Sequence, residues 1–289
     1  MTGMPPAPRF FAPPPAEPTP DGHDRYRDVG YAVVPGFRPL TLDLTVPRVS
    51  GPVPVVVWIH GGAWLGGSHL HVGSPPWVRR AAGLVLDAGM AFASVQYRLS
   101  GETPFPGQLH DVKAAVRWLR RFGGPLGLDT DRIGAWGESA GGHLAALLAL
   151  TGADAESEGG NGVTEGTGEV RAVVDFYGPA DLATMGHDEP TSPESLLLGG
   201  PVPERVREAR SASPVTHVRP DAPPLLLVHG EQDRVVPFAQ SRALADALVA
   251  VGASVELVPV PGADHVLLGV DPNPVVDLAV AFLDRALRA

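Results

Sequence analysis

Short, mostly apolar runs alternate with segments of 3.6-residue period along most of this chain, and that alternation constrains the fold more than any other feature. Residues 53–59, VPVVVWI, and 90–97, MAFASVQY, are apolar at most successive positions, as strands covered on both faces require. The series continues with DRIGAW (131–136), VRAVVDFY (170–177), PPLLLVHG (223–230) and ASVELVPV (253–260). Before it, YRDVGYAVV (26–34) and LTLDLTV (40–46) alternate as half-buried strands do. Between them, Val112, Ala115, Val116 and Leu119 share one helical face, as do Leu244, Leu248 and Val251 in a second segment. A last helix over 275–288 lines up Val276, Ala279, Val280, Leu283 and Leu287. Strands and helices in this order specify one α/β domain, a mostly parallel twisted sheet of eight strands with helices on both faces, over 26–289.

Three stretches break the alternation. Residues 1–25 are proline-rich and read as an extended arm, with Phe10 and Phe11 available to fold over a pocket mouth. Residues 151–169, rich in glycine and acids without a basic residue, read as a solvated loop; their oxygens match no EF-hand spacing. Residues 178–222 are long and rich in Pro and Ser, and are expected to form a small cap over the site.

The chemistry concentrates at one corner. Gly137-Glu138-Ser139-Ala140-Gly141 joins the apolar run 131–136 to a helix-forming stretch that begins near residue 140. The pentapeptide alone is weak evidence in a chain with 35 glycines, but between a buried strand and a helix it is where a nucleophile elbow has to be. Such a corner exposes the hydroxyl of Ser139 above the positive end of the following helix. A serine hydroxyl needs a base to become nucleophilic. In the order Ser, then acid, then His, Asp233 follows the run 223–230 and His265 follows the run 253–260, so both emerge at the sheet edge that carries Ser139. Glu231 and Asp264 are competing acids, and His60, His143, His217 and His229 competing imidazoles. His60-Gly61-Gly62-Ala63-Trp64 follows another buried strand, and glycines there allow backbone N–H groups to reach a developing oxyanion. Gly61 and Gly62, with Ala140, are the expected donors. Trp64, Leu65, Phe105 and Tyr177, with the 66–77 loop, are the expected pocket walls.

Composition narrows the partners. A net charge of −10 disfavours a nucleic-acid binder, and the absence of cysteine excludes thiolate chemistry and disulfides. No apolar run reaches the roughly 20 residues of a membrane span, and the start of the chain lacks the signal-peptide pattern, so the expectation is a cytoplasmic protein. SHLHVG (68–73) offers two histidines without further ligands, and no nucleotide or flavin fingerprint appears, so neither metal nor cofactor is expected. Oligomeric state is not written in the sequence.

Taken together, HGGAW, YRLS, DVKAAVRWLR, DRIGAWGESAGGHLAALLA, DFYGPADL, HGEQDRVVP and GADH resemble the α/β-hydrolase superfamily. The nearest branch is the hormone-sensitive-lipase-like and bacterial feruloyl-esterase-type carboxylesterases. The resemblance covers about 40–289 and implies an α/β-hydrolase fold, a catalytic triad of Ser139, Asp233 and His265, and an oxyanion hole of Gly61, Gly62 and Ala140. It implies a serine esterase acting on small soluble carboxylic esters through an acyl-enzyme on Ser139. Amidase or arylformamidase chemistry, or lactone formation and cyclisation with the same triad, stay open, as does a ligand-binding protein without catalysis. One departure is Ala63, where many relatives carry a third glycine.

Overall fold

The computed structural model describes residues 10–70, 75–152 and 154–289. Residues 1–9 of the proline-rich arm, 71–74 in the 66–77 loop, and 153 lie outside the described residues.

The strands are β1 (Glu17–Pro18), β2 (His23–Ala32), β3 (Leu40–Pro47), β4 (Val53–Ile59), β5 (Ala91–Val95), β6 (Leu128–Glu138), β7 (Ala172–Phe176), β8 (Leu225–Gly230) and β9 (Val255–Val260). They form one sheet in the order β1-β2-β3-β5-β4-β6-β7-β8-β9. The six strands from β4 onward run parallel, and β1, β2 and β3 add to the β5 edge in antiparallel pairs. The eight expected strands are all present; the ninth, β1, comes from the arm. Two residues of Glu17–Pro18 pair with Arg25 and Asp24, a proline being tolerated there because β1 is an edge strand.

The pleat sorts the core into two layers. Val55, Val57 and Ile59 of β4 face one cluster with Leu109, Val112 and Leu144, whereas Val56 and Trp58 face a second cluster with Trp77, Val276 and Leu283. The first layer is covered by α2 (Gly107–Phe122), α3 (Ala140–Leu150) and α6 (Ala239–Ala250), and the second by α1 (Trp77–Asp87) and α7 (Asn273–Arg288). Helix α1 was not evident in the apolar spacing; Trp77, Val78, Ala81 and Val85 form its buried face. Trp77 packs on Trp58 and Trp136, with ring centroids 5.9 and 6.1 Å apart.

Three expectations change here. The described part of the arm does not reach a pocket mouth. Phe11 N–H donates to Gly30 O (2.9 Å), Trp118 Nε1 donates to Phe11 O (2.9 Å), and Phe10 packs on Phe122, so the arm is bound to β2 and α2. The acidic loop is not simply solvated. Arg117 and Lys113, both buried in α2, would be uncompensated charges without it; Arg117 donates to Val163 O (2.5 Å) and pairs with Glu158, and Lys113 Nζ reaches Thr151 O (2.6 Å). The excursion 178–222 contains α4 (Pro193–Leu198) and α5 (Val206–Ser211) and rests on α3 and α6 through Ala212 and the turn Pro214–His217. Gln240 Oε1 accepts from Ala180 N and Asp181 N, and Ser213 Oγ from Leu182 N.

Strand order reverses beside β4: the chain steps to β5 on one side, then crosses to β6 on the other. The loops leaving the carboxyl ends of β4 and β6 therefore diverge and open a crevice between them, where open α/β sheets bind ligands.

Candidate active site

Ser139 occupies the single residue between β6 and α3, at φ 53° and ψ −121°. The strained corner is held from both sides: Ser139 N–H donates to Phe176 O of β7 (2.8 Å), and Ser139 O accepts from His143 N (3.0 Å). Its hydroxyl stands 3.1 Å from His265 Nε2, and His265 Nδ1 lies 2.7 Å from Asp233 Oδ2. Because a carboxylate only accepts, Nδ1 carries the proton and Nε2 faces the serine with its lone pair. The three residues come from the ends of β6, β8 and β9, as the sequence order suggested.

Asp233 is the fixed end of this chain. Its Oδ1 accepts from Val235 N (2.9 Å) and Val236 N (2.8 Å). Burial alone would push its carboxyl up; hydrogen bonds from His229, His265 and the Val236 amide outweigh burial and hold it well below the usual carboxylate range. Of the competing acids, Asp264 instead pairs with Arg234 and accepts from His265 N (2.8 Å), holding the loop backbone.

The cavity above Ser139 measures about 660 Å³ and is lined by Gly61, Gly62, Ala63, Gly67, His60 and Glu138 on one side. Pro75, Pro76, Val235 and Val266 supply its apolar walls. No lining residue comes from 178–222, so the expected cap does not cover this opening among the described residues. The proposed aromatic walls are displaced too. Trp64 is buried, donating from Nε1 to His143 Nδ1 (3.2 Å), and Phe105 is packed against α4 with its N–H on Leu197 O (2.8 Å). Leu65 is 43% exposed on the outer turn. Tyr177 is buried beneath the site, its ring edge-on to His265 at 5.0 Å. His143 is a core histidine: burial pulls its pKa down to about 4, and its neutral ring bridges Trp64 and Ala212 O (2.6 Å).

The oxyanion donors also need correction. Gly61 N–H is engaged, donating to Glu138 Oε1 at 2.8 Å. Gly62 and Ala63 are the next amides on the same loop, and neither has an acceptor among the described residues. Gly62 has φ 114°, and a side chain there would meet Gly66 O at 2.4 Å, so only glycine makes this turn. Ala140 opens α3, so its N–H lacks a partner within the helix. Sequence position alone nominated Gly61; the direction of a backbone N–H is not written in residue type.

Strain gathers here. Of seven described non-glycine residues with left-handed φ, six lie at this rim or directly beneath it: Ala63, Trp64, Ser139, Tyr177, Val266 and Leu267. Each costs of order 1–3 kcal/mol that the packed layers must offset.

Glu138 is the lining residue that the motif concealed as its variable position. Burial pushes its carboxyl from 4.5 up to about 7, opposed by the Gly61 N–H bond and by His265 nearby. A folded state that binds the proton more tightly than the unfolded chain loses stability as pH rises between those values, by about 3 kcal/mol in full. Glu138→Gln keeps an acceptor for Gly61 but has no proton to lose. Its melting temperature relative to wild type should therefore be higher at pH 8 than at pH 5; a difference independent of pH would contradict this account.

Among the described residues, one group brings three side chains of metal-ligating type together. Asp28, Asp43 and His69 each place a ligand atom within 4.8 Å of the others. His69 Nε2 is 3.1 Å from Asp28 Oδ1, and His69 O accepts from Ser94 Oγ (2.8 Å), so these contacts also fasten the loop to β2, β3 and β5.

The sequence model of the BD-FAE family matches residues 42–248, most of the chain. The chain belongs to the BD-FAE family. Esterase LipC from Mycobacterium tuberculosis (strain ATCC 25618 / H37Rv) is 33% identical to this BD-FAE chain over 247 residues, covering 82% of this chain and 60% of LipC. The chain spans between half and three-fifths of the length of the curated relatives it matches first. Among solved structures, a truncated carbohydrate esterase from gut microbiota superposes with a TM-score of 0.83 at 28% identity, covering 94% of this chain and 99% of that one. Thermogutta terrifontis esterase 2 phosphorylated by paraoxon superposes with a TM-score of 0.71 at 25% identity, covering 91% and 94%. The fold is that of the α/β-hydrolase esterases. No helix among the described residues is long and apolar enough to cross a membrane.

Proposed function

We propose that this BD-FAE chain is a serine esterase that hydrolyses small carboxylic esters through an acyl-enzyme on Ser139. The observation that carries this reading is the continuous hydrogen-bonded chain Ser139–His265–Asp233 at the floor of the cavity. In the first half-reaction His265 Nε2 takes the proton as Ser139 Oγ attacks the carbonyl carbon. Asp233 stabilises the imidazolium through Nδ1–H. The tetrahedral oxyanion is held by the amides of Ala140, Gly62 and Ala63. Collapse expels the alcohol with the proton from His265, and water repeats the sequence to release the acid. Gly61, by fastening its loop to Glu138, aims the amides that follow it.

The names of the relatives support the same chemistry: LipC and the carbohydrate esterase are esterases, and the Thermogutta terrifontis esterase is phosphorylated by paraoxon, a phosphate triester. A pocket walled by two prolines and two valines around an open mouth suits short neutral acyl groups. The test is a panel of p-nitrophenyl esters from acetyl to palmitoyl, with a feruloyl ester and an arylformamide alongside. The expected order places short esters first. Turnover of the formamide alone would overturn the ester assignment in favour of amide cleavage.

A further inference from the structure

A second imidazole touches the same carboxylate. His229 ends β8, is fully buried, and has both ring nitrogens engaged. Its Nε2 lies 2.8 Å from Val236 O, and a carbonyl only accepts, so Nε2 carries the proton. Its Nδ1 then presents a lone pair to Ser241 Oγ of α6 at 2.7 Å, and the hydroxyl donates. Its Nε2 is also 3.4 Å from Asp233 Oδ2, the oxygen that accepts from His265, a charge contact beside the hydrogen bond to Val236 O. Residues 233–236 are therefore clamped twice. Asp233 Oδ1 gathers the amides of Val235 and Val236 from inside the turn, and His229 holds the Val236 carbonyl from the core side. Phe238 and Tyr177 stand edge-on to the His229 ring at 5.7 and 6.4 Å, and Tyr177 stands edge-on to His265 as well.

We propose that His229, locked in one tautomer by the Val236 carbonyl and seated against α6 by Ser241, is a positioning residue that holds the Asp233 carboxylate in line with His265 for the esterase reaction. The assignment rests on the esterase reading. It acts through Asp233 and does not touch the substrate. The long 3.4 Å approach makes the carbonyl the principal partner and the carboxylate the secondary one. Losing this donor leaves more of the Asp233 charge to His265, which favours the imidazolium and moves the acid limb of kcat/KM to higher pH. The other charged groups that face this pair are Glu138 from β6, Asp175 from β7, and the Arg234–Asp264 pair at the surface.

The test compares His229→Leu, His229→Gln and Ser241→Ala in the full chain with p-nitrophenyl butyrate. His229→Leu should lower kcat about 10–100-fold with KM little changed, because a small misplacement of the base is costly. Its acid limb should move to higher pH. His229→Gln, which keeps an N–H donor toward Val236 and Asp233, should recover most of kcat and the wild-type limb. Ser241→Ala keeps the ring but frees it from α6, and should give a smaller loss of kcat of the same kind, so the test survives should His229→Leu not fold. A downfield NMR resonance from His265 Nδ1–H, read without any substrate, should be kept in His229→Gln and displaced in His229→Leu. The assignment is overturned if the leucine and alanine variants keep wild-type kcat, limb and resonance. It is equally overturned if the glutamine variant loses as much as the leucine one, since that would mark bulk packing. Wild-type protein that cleaves no ester while its resonance responds in this pattern would instead count against the esterase reading.

Discussion

Ser139→Ala should lower kcat for p-nitrophenyl butyrate by about 10⁴–10⁶-fold while leaving the melting temperature within a few degrees of wild type. The attacking oxygen is the only atom removed, and it sits on a corner whose backbone is held independently by Phe176 O and His143 N. His265→Ala should lose a similar factor, and the double variant hardly more, because a nucleophile without its base and a base without its nucleophile are equally idle. What survives should be the contribution of the loop amides. Steady-state kinetics beside thermal unfolding decides this; retention of a tenth of the activity in Ser139→Ala would remove Ser139 from the mechanism.

The second large effect is structural. A Cβ at Gly141 would lie 2.0 Å from Ile59 O and 2.7 Å from His60 O, both backbone atoms at the end of β4. Neither can move without parting β4 from β6, which is the floor of the crevice. Gly141→Ala should therefore cost more than about 4 kcal/mol, seen as loss of soluble protein or a melting temperature lower by about 10 °C or more. Gly83→Ala is the matched control: nothing lies within 4 Å of a Cβ there, in the middle of α1. That change should be neutral or raise stability by about 0.5–1 kcal/mol. Equal behaviour of the two variants would contradict the packing account of the elbow.

The parts legible in the sequence are those that side-chain pattern encodes. The buried stretches of β4 to β8 show as short, mostly apolar runs. The corner at Ser139 shows because two flanking glycines are needed where strand and helix nearly touch. Asp233 and His265 follow from where parallel strands must end. Other features have no side-chain signature. The amide of Gly61 is turned onto Glu138, and Gly62 and Ala63 line the cavity in its place, because loop dihedrals and not residue types set where an N–H points. Trp64, Phe105 and Tyr177 attracted attention as aromatic walls, yet large rings offer the most area to bury and all three do so in the core. Short proline and valine side chains around the mouth, at Pro75, Pro76, Val235 and Val266, gave no comparable signal. His229 looked like a strand terminus; only its distances to Val236, Ser241 and Asp233 give it a role.

The most direct measurement is intact-mass analysis with peptide mapping after exposure to diethyl p-nitrophenyl phosphate. An activated Ser139 should acquire one diethylphosphoryl group per chain, found on the peptide that contains it, with the reaction slowed greatly in His265→Ala and absent in Ser139→Ala. Labelling at another residue, or equal labelling of Ser139→Ala, would contradict the account.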